Sequence, residues 1–230
     1  MRIVALNASP QRWDGNTHRL LEPFLRGARE AGATIRQYYV ADLNISACTG
    51  CHGCARTGAC CLEDDMTWLL GEVRTADTLV LGFPLYMGGT PGPLKTIVDR
   101  LRPLAPNPLM ARDLTDRNAG PDGPRPSRLV MASVGGVWGA EGFRPCVAWF
   151  EGLCRSLRAR CAGHLIRPHV HAWATLAPWS SRAACINAAL EDAGRELVTL
   201  GAVSAEREAI IAAPVLHPQP VGLGRSACVG

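Results

Sequence analysis

Lysine is almost missing from this chain: Lys95 is the only one, so nearly all of its positive charge is arginine. We read that bias as genomic base composition rather than as function. A dominant sign of charge is missing too. The 24 basic and 20 acidic side chains leave +4, and they are scattered. That excludes the dense basic stripe of a nucleic-acid binder. No apolar run approaches ~20 residues, so no transmembrane helix is expected. The segment Met1 to Asn7 turns polar too soon for a signal-peptide core, and the expected location is cytoplasmic. There is no Walker GxxxxGK[ST] and no GxGxxG, which argues against nucleotide hydrolysis and against a dinucleotide-binding fold. Internal repeats are absent as well. What remains is a chain of 230 residues, 47% hydrophobic and 19% charged, which is ordinary globular composition. Its length suits one large domain with an excursion.

Apolar runs alternate with helical patterns along the chain. Arg2 to Ala8, Thr34 to Val40, Thr78 to Phe83, Arg128 to Val134 and His164 to His171 read as strands. Asn16 to Ala31, Glu63 to Arg74, Pro93 to Leu104, Phe143 to Ala162 and Arg182 to Leu200 read as helices, with a short one over Ala205 to Ala213. The run Thr78 to Phe83 is nearly continuous, as in a parallel strand covered on both faces. Alternation of this kind predicts an α/β doubly wound parallel sheet with helices on both sides. Five strands fit the flavodoxin-like order 2-1-3-4-5, in which ligands bind beyond the carboxyl ends of the strands. The expected domain covers 1–213. It carries a cysteine-rich loop at 48–61 and a Pro/Gly-rich excursion at 103–127, and 214–230 is a loose tail. The excursion reads either as a lid beside a ligand or as a contact loop.

The informative residues fall just after the strands. The segment from Asn7 to Thr17 joins the first strand to the first helix. Its small and hydroxyl residues allow backbone N–H groups to converge on an anion at a helix N-terminus. Ser9, Asn16 and Thr17 can donate to phosphate; equally, Asn16 or Thr17 can simply cap the helix. Tyr86 and Met87 offer an aromatic face and a soft apolar contact at a strand end. Gly88 and Gly89 permit close backbone approach.

These segments resemble the NAD(P)H-dependent FMN reductases of the flavodoxin-like superfamily. The resemblance lies in Ser9-Pro10-Gln11-Arg12, Gly15-Asn16-Thr17, Pro84-Leu85-Tyr86, Pro91-Gly92-Pro93-Leu94-Lys95, Asp99-Arg100 and Gly135-Gly136. It implies an FMN cofactor, with NAD(P)H as a candidate donor. Ser9, Gln11, Gly15, Asn16 and Thr17 would hold the phosphate. Pro84, Leu85, Tyr86, Met87 and Gly88 would lie along the flavin and its ribityl chain, and Ser133, Gly135 and Gly136 would close the other side. Lys95, Asp99 and Arg100 read instead as helix-surface ion pairs or structural contacts.

Ten cysteines are many, and they are unevenly placed. Cys48, Cys51, Cys54, Cys60 and Cys61 share one short stretch, which favours a metal or cluster site over a disulfide framework. Cys48-x2-Cys51-x2-Cys54 has ferredoxin-type spacing. With Cys60 as fourth ligand, and Leu62-Glu63-Asp64-Asp65-Met66 following, the stretch resembles the iron–sulfur flavoproteins, a branch of the same superfamily. The resemblance implies a [4Fe–4S] cluster beside FMN and a homodimer or homotetramer. Cys61 can substitute for Cys60. Zinc held by four thiolates and redox-active or vestigial thiols are the competing readings. Cys146, Cys154, Cys161 and Cys185 lie on helical patterns and read as small core residues. Trp138, Trp149, Trp173 and Trp179 read as packing. His169 and His171 read as structural histidines or as proton donors.

The expected function is electron transfer among a donor, the cluster, FMN and an acceptor, with no side chain required as a nucleophile. Three versions compete: service to a ferredoxin-type protein partner, reduction of flavins or quinones by NAD(P)H, and turnover of a dedicated small-molecule substrate.

Overall fold

A computed structural model describes residues 1–105, 125–176 and 180–216. Most of the excursion, Trp179 and the tail from 217 lie outside the described residues. The sheet consists of β1 (Arg2–Asn7), β2 (Thr34–Tyr39), β3 (Thr78–Pro84), β4 (Arg128–Val134) and β5 (Arg160–Arg167), all parallel, in the order β2-β1-β3-β4-β5. This is the expected flavodoxin-like order. Its three central strands are almost wholly buried, as covered parallel strands must be.

The helices are α1 (Asn16–Glu30), α2 (Gly53–Thr57), α3 (Met66–Arg74), α4 (Gly92–Asp99), α5 (Arg144–Ser156), α6 (Val170–Leu176), α7 (Ser181–Leu200) and α8 (Ala205–Ala212). Two cores result, one on each side of the sheet. Leu20, Leu21 and Phe24 of α1 meet Ile186, Leu190 and Leu197 of α7 and Ile3, Val80 and Val130 of the sheet. On the other side, Leu69 and Val73 of α3, Ile97 of α4 and Phe150 of α5 cover Leu6, Leu81 and Met131. Helices α1 and α7 touch backbone to backbone. A Cβ at Gly27 would sit 1.9 Å from the Glu191 carbonyl oxygen, and one at Gly194 would sit 2.0 Å from that of Phe24.

Several boundaries differ from expectation. Helix α4, expected to run to Leu104, stops at Asp99, and Arg102–Leu104, which includes Pro103, form a separate 3-10 turn. The apolar period Phe150, Cys154, Leu157, Cys161 looks helical, yet α5 stops at Ser156. Arg158 takes a left-handed backbone, φ 50°, and the chain starts β5 at Arg160. That strand ends at Arg167 rather than His171, because Pro168 has no N–H to give the ladder and His169 is again left-handed, φ 50°. Residues from Val170 then form α6, a helix that the strand-like run concealed. Helix α3 starts at Met66, not Glu63, because the Asp64 carboxylate is used as an acceptor for the Met66 N–H, 3.0 Å. Among the described residues no helix is long and apolar enough to cross a membrane.

Candidate functional site

Strands β1, β3 and β4 are neighbours and parallel, so the loops that leave their carboxyl ends lie side by side. Backbone bonds tie these exits together. Ala8 N–H donates to the Gly82 carbonyl at 2.7 Å, and Leu85 N–H donates to that of Val134 at 2.7 Å.

The first loop is organised around Ser9, which is buried. Its N–H donates to Asn7 Oδ1 at 3.0 Å, and its hydroxyl accepts from Gln11 N–H at 3.3 Å. Gly15 packs on that hydroxyl. An added Cβ would lie 2.3 Å from Ser9 Oγ, so close approach requires the glycine here. Gly15 is the residue before α1 and has no side chain to cap it. Asn16 and Thr17 open the helix rather than cap it, and the first N–H groups of a helix have no acceptor within it. Thr17 Oγ1 and Asn7 Nδ2 are buried without a partner. Buried polar atoms are nearly always paired, so two orphans beside a helix N-terminus describe a cradle that a ligand completes. Gln11 is exposed.

The second loop is a tight hairpin. Tyr86 and Gly89 exchange backbone bonds of 3.0 and 2.9 Å, with Met87 (φ 48°) and Gly88 (φ 78°) at its tip. Two central residues at positive φ are the mark of a type I′ turn, which glycine tolerates and methionine resists. Met87 is nonetheless fully exposed and Tyr86 half exposed. Pro84 and Leu85 lead into this hairpin, half-buried, and Thr90 Oγ1 is a further buried hydroxyl without a partner.

The third loop follows β4. Ser133 is buried with its hydroxyl unpartnered. Gly135 is pressed between Phe143 and Leu85, where a Cβ would lie 2.9 Å from the Phe143 ring, whereas Gly136 faces open space. His169 N–H donates to the Val137 carbonyl at 2.6 Å, and its ring lies on Trp138 at a centroid distance of 3.9 Å. Trp138 is therefore exposed beside the strand ends rather than packed in the core, where Trp173 does belong. His171 is exposed. Asn7 and Thr90 were missed in the sequence. The available signal for Asn7 was a polar residue closing the apolar run Ile3 to Leu6.

The cysteine loop leaves β2 and is closed at its neck. Ser46 N–H donates to Asp64 Oδ2 (2.9 Å) and Asn44 N–H to Asp65 Oδ2 (2.7 Å). Arg100, at the end of α4, reaches in from the body of the fold. Its guanidinium donates to both Asp64 oxygens at 2.8 and 3.0 Å and to the Ser46 carbonyl at 2.8 Å, with both side chains almost wholly buried. Arg100 is thus no helix-surface residue, unlike Lys95 and Asp99, which form an exposed i,i+4 pair. Cys60 is near enough to the Arg100 guanidinium to favour its charged form. Beyond the neck, Gly50, His52 and Gly58 take left-handed backbones around the short α2. Cys48, Cys51 and Cys61 are exposed, and Cys54 and Cys60 are half-buried. Cys51 Sγ lies 3.5 Å from Cys61 Sγ. Among the described residues no three metal-ligating side chains are gathered to hold an ion, so Cys48, Cys51, Cys54 and Cys60 share a loop without forming a closed ligand set. Of the other cysteines, Cys146 and Cys154 are core residues as expected. Cys161 is half-buried on a strand, and Cys185 is exposed on α7; neither is a core residue.

Fold and loops together define a flavodoxin-like protein with unpartnered buried polar atoms at the carboxyl edge of its sheet. The sequence profile of the NADPH-dependent FMN reductases matches residues 1–140, and the chain belongs to that family. It is 36% identical over 104 residues to an iron–sulfur flavoprotein of Methanocaldococcus jannaschii, covering 45% of this chain and 53% of that protein. A second iron–sulfur flavoprotein of the same organism is 33% identical over 130 residues, covering 52% of this chain and 65% of that one. The chain thus spans roughly half to two thirds of the length of these relatives. Among solved structures it resembles an NAD(P)H:quinone oxidoreductase from Methanothermobacter marburgensis, with a TM-score of 0.61 at 19% identity over 86% of this chain and 96% of that one. At that identity the likeness concerns the fold.

Proposed function

We propose that the protein is an FMN-dependent oxidoreductase whose cysteine loop seats a [4Fe–4S] cluster. The observation that carries the flavin assignment is the set of unpartnered buried polar atoms, Asn7 Nδ2, Thr17 Oγ1 and Ser133 Oγ, at the carboxyl edge of β1 and β4 beside the N-terminus of α1. Asn16 and Thr17, with the first N–H groups of α1, hold the phosphate. Ser9 and Gly15 shape the cradle and Gln11 borders it. Pro84 and Leu85 brace the hairpin that presents Tyr86, Met87 and Gly88 to the flavin. Ser133, Gly135 and Gly136 line the facing side.

Bound FMN supplies the redox chemistry, exchanging electrons in pairs or singly. The protein's part is to bind, to orient and to exclude water. No residue of the cradle needs to act as a nucleophile. The donor is NAD(P)H or a ferredoxin-type protein, the acceptor is a small molecule, and the working form is a homodimer or homotetramer. Family membership supports the nicotinamide donor. The relatives' names support the cluster.

The cysteine loop fits a cluster in its donor chemistry, because five thiols within one short segment are soft ligands for iron. Among the described residues its arrangement does not close a ligand set. That separation of thiols favours a second reading, an NAD(P)H-dependent flavin or quinone reductase without a cluster. The deciding experiment measures FMN, iron, acid-labile sulfide and zinc per chain on anaerobically purified protein. About one FMN with about four irons and four sulfides is expected. FMN without iron selects the second reading, and absence of FMN overturns both.

A further inference from the structure

A second group of reactive side chains lies away from the cradle, where α5, β5 and α8 meet. Strand β5 is the sheet edge. Its pairing with β4 slips between Leu129 and Val130, which face Cys161 and Gly163, so Ala162 is a bulged residue. In a regular strand, residues three apart point to opposite faces. One extra residue cancels that parity, and bulges re-aim side chains in this way. Cys161 and His164 therefore share the face turned toward α5, and Cys161 Sγ lies 3.3 Å from His164 Nε2. The other ring nitrogen, Nδ1, faces Glu208 Oε1 at 3.9 Å, and the same carboxylate oxygen accepts the His164 backbone N–H at 2.7 Å. The His164 ring is steadied edge-on by Phe150. Cys154 of α5 is buried in the same core cluster against which Cys161 packs, so the two thiols are neighbours in one side of the core. The flavin cradle has no share in this group. Cys161 is at the beginning of β5 and the cradle lies beyond its end, roughly 20 Å along the strand.

We propose that Cys154 and Cys161 are a redox-active dithiol, with Cys161 the attacking thiolate, His164 its proton acceptor, Glu208 the group that orients the imidazole, and small-molecule disulfides such as oxidised glutathione the substrate class. A second thiol beside the first decides between this and acyl-transfer chemistry. An acyl-enzyme needs one nucleophile, whereas a neighbouring thiol resolves a mixed disulfide.

The reaction balances as thiol–disulfide exchange. The Cys161 thiolate attacks one sulfur of the substrate, the substrate S–S bond breaks, and one thiolate leaves and is protonated by His164. Cys154 then loses its proton to solvent and attacks Cys161 Sγ. The mixed disulfide breaks, the second substrate thiol leaves, and a Cys154–Cys161 bond remains. Two protein thiols are oxidised and one small disulfide is reduced to two thiols.

The electrostatics agree with this division of roles. The hydrogen bond from Cys154, followed by that from His164, holds Cys161 well below the usual thiol value. The same Cys154–Cys161 bond, with burial, pushes Cys154 up, and contact with Cys161 raises His164. The charged groups that face the cluster are Glu151 of α5 and Glu208 of α8. Glu208 and Glu151 both favour the imidazolium. An open groove lined by Val147, His164, Ile166, Ala205, Glu208 and Ala212 gives access to the histidine side of the pair.

Peptide-resolved alkylation of the whole protein tests the assignment. At pH 6, iodoacetamide should label Cys161 at least tenfold faster than the exposed Cys185. His164→Gln should remove most of that advantage. Oxidised glutathione should give a Cys154–Cys161 bond, which trypsin isolates cleanly because Arg155, Arg158 and Arg160 separate the two cysteines. Cys154→Ser should instead trap glutathione on Cys161. Equal labelling of Cys161 and Cys185 in the wild-type protein overturns the proposal, and so does glutathione treatment that leaves Cys154 and Cys161 unlinked. Neither readout depends on bound flavin or iron.

Discussion

Arg100 grips Asp64 with both arms of its guanidinium, at 2.8 and 3.0 Å, with both side chains almost wholly buried. This one pair joins the end of α4 to the far side of the cysteine loop, and through the Ser46 carbonyl to its near side. A loop with several exposed thiols and three left-handed residues is thereby held at a fixed place on the sheet. Removing one partner of a buried pair leaves the other charge uncompensated, typically at about 3–5 kcal/mol. Arg100→Met should therefore lower the denaturant midpoint and open 44–65 to protease. A protected loop in that variant would show that the clasp is dispensable.

The same pair sets an acid limit on stability. The Arg100 hydrogen bonds hold the Asp64 carboxyl below its usual range, assisted by the Ser46 and Met66 N–H groups. A group whose folded value is depressed stabilises the fold above its unfolded value, about 3.9 for aspartate. That contribution is lost as pH falls through the folded value. Denaturation followed from pH 6 down to pH 2 should show this loss in the wild-type protein. In Arg100→Met the part due to the Arg100 bonds should be missing, and an identical acid limb in both proteins would refute the attribution.

Thr17 tests the phosphate cradle without disturbing the fold. Its hydroxyl is buried and unpartnered, so Thr17→Val should leave the flavin-free protein as stable or slightly more so. FMN should bind more weakly, because a hydrogen bond to a charged group contributes about 1.5–3 kcal/mol, or roughly tenfold to a hundredfold in Kd. Fluorescence titration of flavin into stripped protein measures this directly. Unchanged affinity would place the phosphate elsewhere.

Much of this architecture was legible because apolar runs and helical periods alternate without ambiguity from Arg2 to Val134, and the strand order follows from that alternation. The larger errors gather after Leu153, beyond the shortened ends of α3 and α4. There a helix, a left-handed Arg158 and a strand share one continuous apolar pattern, and only the positive φ separates them. The bulge at Ala162 is equally silent in sequence, since it arises from how β5 registers on β4. It is also what brings Cys161 to His164. The structural contact expected of Arg100 could not be given a partner, because Asp64 lies 36 positions away, a distance that no local pattern reports.

Met87 pays for its position. Its left-handed backbone, φ 48°, costs a methionine about 1 kcal/mol, which asparagine tolerates better. Met87→Asn should stabilise the flavin-free protein by a few tenths to about 1 kcal/mol. It should also weaken FMN binding, by up to about tenfold, through loss of the thioether contact with the ring. Thermal melts and flavin titration on the same variant separate the two effects. Tighter FMN binding by Met87→Asn would mean that the side chain points away from the cofactor.

Cys60 and Cys61 are adjacent but differently held. Cys60 is half-buried at the clasped neck, whereas Cys61 is exposed beside Cys51. A half-buried thiol at a clasped neck is held in place, and a fixed donor is the better ligand. Cys60→Ser should therefore lose most of the bound iron and the broad visible absorption of a cluster, while Cys61→Ser keeps both. Cys51→Ala should lose iron as Cys60→Ser does and still bind FMN. Iron loss confined to Cys61→Ser would transfer the fourth position to Cys61 and imply that the loop turns over at its neck when it loads.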